Sequence, residues 1–218
     1  AVREASGISE GDKLLTFSKI RAASQIMANL PYVKGVRIGI KLPDTVNIMI
    51  EEESVVYAVK SSDGQWWMMD SDGRVVEQAN NAKAATATQL LGVTLEAPAV
   101  NQKGIATEMT PSETNELGEL IPVTTTGAQR LTAALQIFKA LESNDIVGEA
   151  ASVDVTSTED IILWYGTRYQ VNLGDTSRLD YKIDCMNDAI LQMSDYQSGV
   201  LDVSFTIWPN QVGYTPFA

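Results

Sequence analysis

Histidine is absent from this chain, and cysteine occurs once, at Cys185. Without histidine there is no Ser-His-Asp or Cys-His catalytic set within the chain. A zinc site would have to be built from carboxylates and one thiol, so no metal or cofactor site is expected. A single cysteine forms no intrachain disulfide. Positive charge is scarce too: 16 Lys and Arg face 28 Asp and Glu, a net charge of −12. That balance argues against a nucleic-acid partner, because phosphate binding needs a basic face. Long apolar runs are also missing. The longest, at residues 161–165, falls far short of the roughly 20 residues of a membrane span and suits a buried strand. No signal peptide opens the chain. Its start, "AVREASGIS", reads as cut from something longer.

What is present is enough apolar surface for a core, 44% of 218 residues, hence one large domain or two small ones. Residues 1–6 read as a short strand. From Ser18, a good N-cap, Ile20, Ala23, Met27 and Leu30 recur at helical spacing, with Ile26 beside them, until Pro31 stops the run. Val33, Val36, Ile38 and Ile40 then suggest a strand, "LPDT" a turn, and Val46, Ile48 and Ile50 a second strand. Residues 1–54 are therefore expected to form a β-α-β-β unit, a helix packed on a small sheet.

Beyond it the pattern becomes strand-rich, at residues 55–59, 66–69 and 74–76, with Asp63-Gly64 and Asp72-Gly73 as turns. Residues 101–126 are polar and weakly patterned and read as a surface insertion. A helix follows at 127–143, strands at 153–155, 161–165 and 169–173, and a second helix at 177–192. The last strand is expected at 201–207, where Leu201, Val203, Phe205 and Ile207 alternate with polar residues. The layout is α+β: a small helix-on-sheet domain at 1–54, then a larger mixed β domain at 55–218 with two helices and a closing edge strand.

Four stretches in this order carry a resemblance. They are "GISEGDKLL" with "NLPYVKGVRIGIKLPDTVNIMIEEE", then "MMDSDGRVV", then "YQVNLGDTSRLDYKIDCMNDAIL", and last "GVLDVSF". Together they resemble the extracytoplasmic part of the bacterial cell-division family FtsQ, called DivIB in Gram-positive bacteria. The match departs from the family at Glu53 and Val55, where Arg and Pro are common, and in the length of the insertion. The resemblance implies a POTRA domain followed by a β domain. It also implies a non-enzymatic scaffold of the divisome at the septum, anchored in the cell membrane by a helix upstream of residue 1. The implied partners are FtsB (or DivIC) and FtsL. An alternative is a POTRA-containing chaperone or transport module of an envelope assembly system. An envelope hydrolase would need a carboxylate pair that the sequence does not place.

Several residues invite sharper readings than they merit. Trp66 and Trp67 point to opposite faces of a strand, so one core and one partly exposed Trp are expected. Cys185, well inside a helix, reads as a packed structural residue. Glu51, Glu52 and Glu53 read as a solvated strand edge, and Asp70 and Asp72 as a turn lacking the other ligands of a calcium loop. Lys182 falls on a family position but reads as a helix-surface lysine near Asp180 or Asp184.

The closing stretch is different. Leu201 and Val203 fit a core strand. Phe205 falls where the family uses an aromatic residue for partner binding, and Gly213-Tyr214 resembles its Gly-Trp pair. Strand addition explains the stretch physically: an edge offers backbone hydrogen bonds and its aromatics give specificity. Pro209 would end the strand. The expected partner-binding residues are Val203, Phe205, Ile207, Trp208, Gly213 and Tyr214.

Overall fold

The structure is a computed structural model that describes residues 1–13, 17–52, 55–108, 125–206 and 209–217. It divides into two compact units, Ala1–Val55 and Val56–Ala218.

The first unit holds helix α1 (Val2–Ser6), helix α2 (Lys19–Asn29) and an antiparallel pair, β1 (Val33–Lys41) and β2 (Thr45–Glu52). Its first element is a helix, not the expected strand. Ala, Arg and Glu favour the helix, and Gly7 closes it in a left-handed cap at φ 66°, where glycine is at no disadvantage. Ser18 caps α2 by accepting from the Arg21 amide at 3.2 Å. The buried stripe of α2 overlaps the expected apolar set only at Ile26. Ala22 and Ile26 face the sheet, while Ile20 is 82% exposed.

The second unit is built on a nine-stranded sheet. Its strands are β3 (Tyr57–Ser61), β4 (Trp66–Met69), β5 (Val75–Ala79), β6 (Gln89–Leu95), β7 (Ala150–Asp154), β8 (Ile161–Tyr165), β9 (Tyr169–Gly174), β10 (Gly199–Asp202) and β11 (Gly213–Pro216). Their spatial order is β11-β10-β9-β8-β7-β6-β3-β4-β5. Strand β6 lies at the join between two antiparallel meanders and pairs in parallel with both β3 and β7. Strand β10 also runs parallel to β9.

A short helix, α3 (Asn81–Ala84), precedes β6. Helix α4 (Gly127–Ser143) packs on β6 and against α5 (Leu179–Leu191), which in turn packs on β9. A capping box between Thr126 and Gln129 starts α4. The core lies between these helices and one face of the sheet, where Leu90, Val153, Leu163, Tyr169, Val171 and Leu201 are buried. Tyr57 ties β3 to α4: its ring stacks on Phe138 at 3.5 Å, and its hydroxyl donates to Glu142 Oε1 at 3.1 Å.

Helix α3 and strand β6 fall in a stretch to which the sequence pattern gave no element. Of the expected insertion, residues 101–107 are tied to the sheet. Val75 N–H donates to the Gln102 carbonyl at 2.8 Å, and Thr107 N–H to that of Thr94 at 2.8 Å. Residues 109–124 lie outside the described residues. Neither Trp66 nor Trp67 is a core residue; both are half-buried, with Lys60 over the Trp66 ring at 5.0 Å. Cys185 is likewise half-buried rather than packed in the core.

Candidate docking site at the C-terminal sheet edge

The expected strand over residues 201–207 ends at Asp202. Asp202 Oδ1 accepts from the Ser204 amide at 2.9 Å and its hydroxyl at 2.6 Å, a side-chain turn that competes with further ladder. Phe205 then sits at φ 59°, a left-handed conformation costing a non-glycine residue about 1–2 kcal/mol. The period of two therefore stops being a strand signal at Val203. That residue is fully buried, its amide donating to the Asn172 carbonyl at 2.9 Å. Val203 supports the corner from beneath and offers no surface to a partner. Ile207 and Trp208 lie outside the described residues.

The edge belongs to β11. It pairs antiparallel with β10, Gly199 opposite Pro216 and Leu201 opposite Tyr214, and among the described residues it ends the sheet. Phe217 N–H donates to the Ser198 carbonyl at 3.1 Å. Alternation along an antiparallel ladder then turns the N–H and C=O of Tyr214 outward. Pro216 has the same orientation but no N–H to give.

The pairing requires glycine at position 199. A Cβ there would lie 2.3 Å from the Thr215 carbonyl oxygen and 2.8 Å from Tyr214 Cε2. The Tyr214 ring thus lies over Gly199, and its hydroxyl donates to the Ser198 carbonyl at 3.1 Å. On the opposite face Phe217 stacks with Trp164 at 6.1 Å.

The corner beside the edge draws on α5. Strands β9 and β10 are parallel, so the loops that follow them leave at the same end of the sheet. There the Phe205 ring meets Tyr181 at 5.5 Å, and the Arg178 guanidinium lies 4.3 Å from the Tyr181 ring and 5.8 Å from the Phe205 ring. The Tyr181 hydroxyl is hydrogen-bonded to Cys185, which pushes the phenol pKa up, with Arg178 opposing.

Lys182 is a buried residue, not the expected surface lysine, with only 1% of its area exposed. It reaches back to the loop, and its Nζ donates to Asp175 Oδ1 and to the Asp175 carbonyl, both at 2.8 Å. Lys182 and Ser177 hold the Asp175 carboxyl down at about 2. This tether fixes residues 175–178 and so the position of Arg178, itself left-handed at φ 54°. Sequence reasoning missed Arg178 and Tyr181. Their separation from Phe205 along the chain left no local signal.

Among the described residues, no three His, Cys, Asp or Glu side chains are grouped to hold an ion. Among the same residues, no helix is long and apolar enough to cross a membrane.

An α+β unit with aromatic residues beside its edge strand thus follows a small helix-on-sheet unit. Residues 1–53 match the family model of the POTRA domain, FtsQ-type. The cell division protein DivIB of Clostridium acetobutylicum is 29% identical over 92 residues, covering 42% of this chain. Together these findings show an FtsQ-type POTRA domain at residues 1–53 and a likeness to a DivIB cell-division protein over part of the chain. The matched stretch spans 36% of that relative's length.

Proposed function

We propose that this chain is the extracytoplasmic part of a membrane-anchored cell-division protein that acts at the septum as a non-enzymatic scaffold. In this reading the POTRA domain, residues 1–54, contributes to placement. The β domain, residues 55–218, receives a segment of an FtsB- or DivIC-like partner, with an FtsL-like protein in the same assembly. The segment adds as a strand along β11.

The observation that carries the reading is the outer side of β11, which no strand covers among the described residues. Tyr214 presents a backbone donor and acceptor there, its ring is half-buried beside them, and Phe205 stands at the adjoining corner. Strand addition supplies affinity through the backbone and specificity through side chains.

The test is binding of the purified chain to the extracytoplasmic region of the DivIC-like protein from the same organism. Tyr214→Ala is expected to weaken binding roughly thirtyfold, the effect of losing a hot-spot aromatic worth about 2 kcal/mol. Tyr214→Pro should be weaker still, because it also removes the outward N–H while sparing the ladder to β10. Wild-type affinity in both variants, with the fold intact by circular dichroism, would sink the reading. Reproducible peptidoglycan hydrolysis, abolished by one carboxylate substitution, would overturn the non-enzymatic part.

A further inference from the structure

Arg178 is an exposed cation in a chain of net charge −12, with three aspartates within six residues of it, Asp175, Asp180 and Asp184. Among the described residues it nevertheless makes no ion pair. The nearer acids are otherwise engaged. Asp175 is held by Lys182 and Ser177, and Asp180 accepts from Asn144 at 3.4 Å. The guanidinium instead rests against two rings, Tyr181 and Phe205. A guanidinium set beside aromatic rings, with the Tyr181 hydroxyl taking at most part of its five N–H donors, still offers donors to a carboxylate. Two left-handed non-glycine residues, Arg178 and Phe205, hold this arrangement from opposite sides. Both stand at the Gly213 end of the β10–β11 hairpin, beside the free edge.

We propose that Arg178, Tyr181 and Phe205 form a carboxylate-binding corner continuous with the β11 edge, which takes an acidic side chain of the segment that adds to that edge. This rests on the strand-addition reading and extends the docking surface onto α5. The occupant follows from charge. The field of this protein repels acids in general, so an unpaired cation braced on aromatics favours a carboxylate at one place and in one register along the edge. Arg178 then contributes register as much as affinity. An acidic segment shifted along β11 would lose this cation and face the surrounding aspartates.

The experiment is a double-mutant cycle with the intact chain. One side is wild type, Arg178→Gln or Arg178→Lys. The other is the DivIC-like extracytoplasmic segment, either native or with each Asp or Glu changed in turn to its amide. Arg178→Gln is expected to weaken binding about tenfold, one amide substitution should do the same, and the two together should cost no more than either alone. Arg178→Lys should fall between wild type and Gln, because it keeps the charge but not the stacked fork. Raising the salt should weaken the wild type and leave Arg178→Gln little changed. Arg178→Gln binding within twofold of wild type, while Tyr214→Ala still loses affinity, would overturn the carboxylate corner alone. So would fully multiplicative effects of Arg178→Gln and every amide substitution. Wild-type binding by Tyr214→Ala, Tyr214→Pro and Arg178→Gln alike would overturn the strand-addition reading and the corner with it.

Discussion

Gly199→Ala is the most incisive change available at the edge. The added Cβ would stand 2.3 Å from the Thr215 carbonyl oxygen, 2.8 Å from Tyr214 Cε2 and 2.9 Å from Pro216 Cα. Two of these are backbone atoms of β11, so no side-chain rotation relieves the clash. The strand must move away by roughly an ångström, beyond what its hydrogen bonds tolerate. Overpacking of this kind costs about 1–3 kcal/mol. The ladder between β10 and β11 is only four residue pairs long, and each hydrogen bond contributes about 1 kcal/mol net. The clash is therefore comparable to the whole attachment of β11. The expected result is local: β11 peels away while the rest of the sheet stays folded. Native-state hydrogen exchange reads this directly. Amide protection at Thr215 and Phe217 should fall by about 10- to 100-fold, while Val171 and Leu163 in the adjoining strands keep theirs. Affinity for the partner segment should fall in parallel. The control is Gly148→Ala, where a Cβ meets nothing within 4 Å. Unchanged protection at Thr215 and Phe217 in Gly199→Ala would refute the argument that the bare Cα at 199 permits the edge strand.

Other predictions test the supports of the site. Asp175→Asn should lower unfolding stability at pH 7 by about 1–2 kcal/mol, below the full figure for a broken buried pair because Asp175 is 57% exposed. The Asp175 carboxyl titrates lower in the folded than in the unfolded chain, so its contribution is complete above about pH 4 and lost as the pH falls through about 2. The acid limb of the wild-type stability curve should therefore be steeper than that of Asp175→Asn, as denaturant titrations across that range would record. Gly174→Ala should destabilise by more than about 1 kcal/mol, since Gly174 has φ 63° and a Cβ would lie 2.8 Å from Ser204 Cβ. In the POTRA domain Ile26→Ala should cost about 2–4 kcal/mol and Ile20→Ser less than about 0.5, as urea denaturation of each variant would show. The reverse ranking would mean that α2 presents its other face.

Where the sequence was legible, the apolar pattern was long and regular. Helix α4 carries an apolar stripe through Leu131, Phe138 and Leu141. Strand β8 is an uninterrupted apolar run between turns. Where it was not legible, a tertiary contact overrode the local pattern. Gly92 hides β6: it looks like a breaker, yet at φ 79° it lets the strand pass within 2.3 Å of where a Cβ would meet the Thr156 amide. In α2, Ile20 keeps helical spacing with Met27 yet is exposed; the buried residues are Ala22 and Ile26, of which the apolar pattern marked only Ile26. Alternation through Ile207 promised a strand that Asp202 and Phe205 interrupt. Lys182 was assigned to the surface from its charge, although its long stem lets the amine reach Asp175 from within the core. At the site, Gly213 and Tyr214 stand out only through the family resemblance. Arg178 does not stand out, because its neighbours are set by the parallel pairing of β9 and β10.

The place of β6 has a consequence for how the molecule assembles. The meanders β3–β4–β5 and β7–β8–β9 join strands that follow one another closely in sequence, so each closes only short loops. Strand β6 finds its partners far along the chain in both directions, and parallel pairing of this kind is slow. The two meanders are thus the early structures, and their union through β6 is a late event on the folding path. Leu90, fully buried in β6, is a place to see it. Leu90→Ala should accelerate unfolding much more than it retards folding in stopped-flow kinetics, because the contacts it removes are absent from the transition state. Equal slowing of folding would instead place β6 in the nucleus.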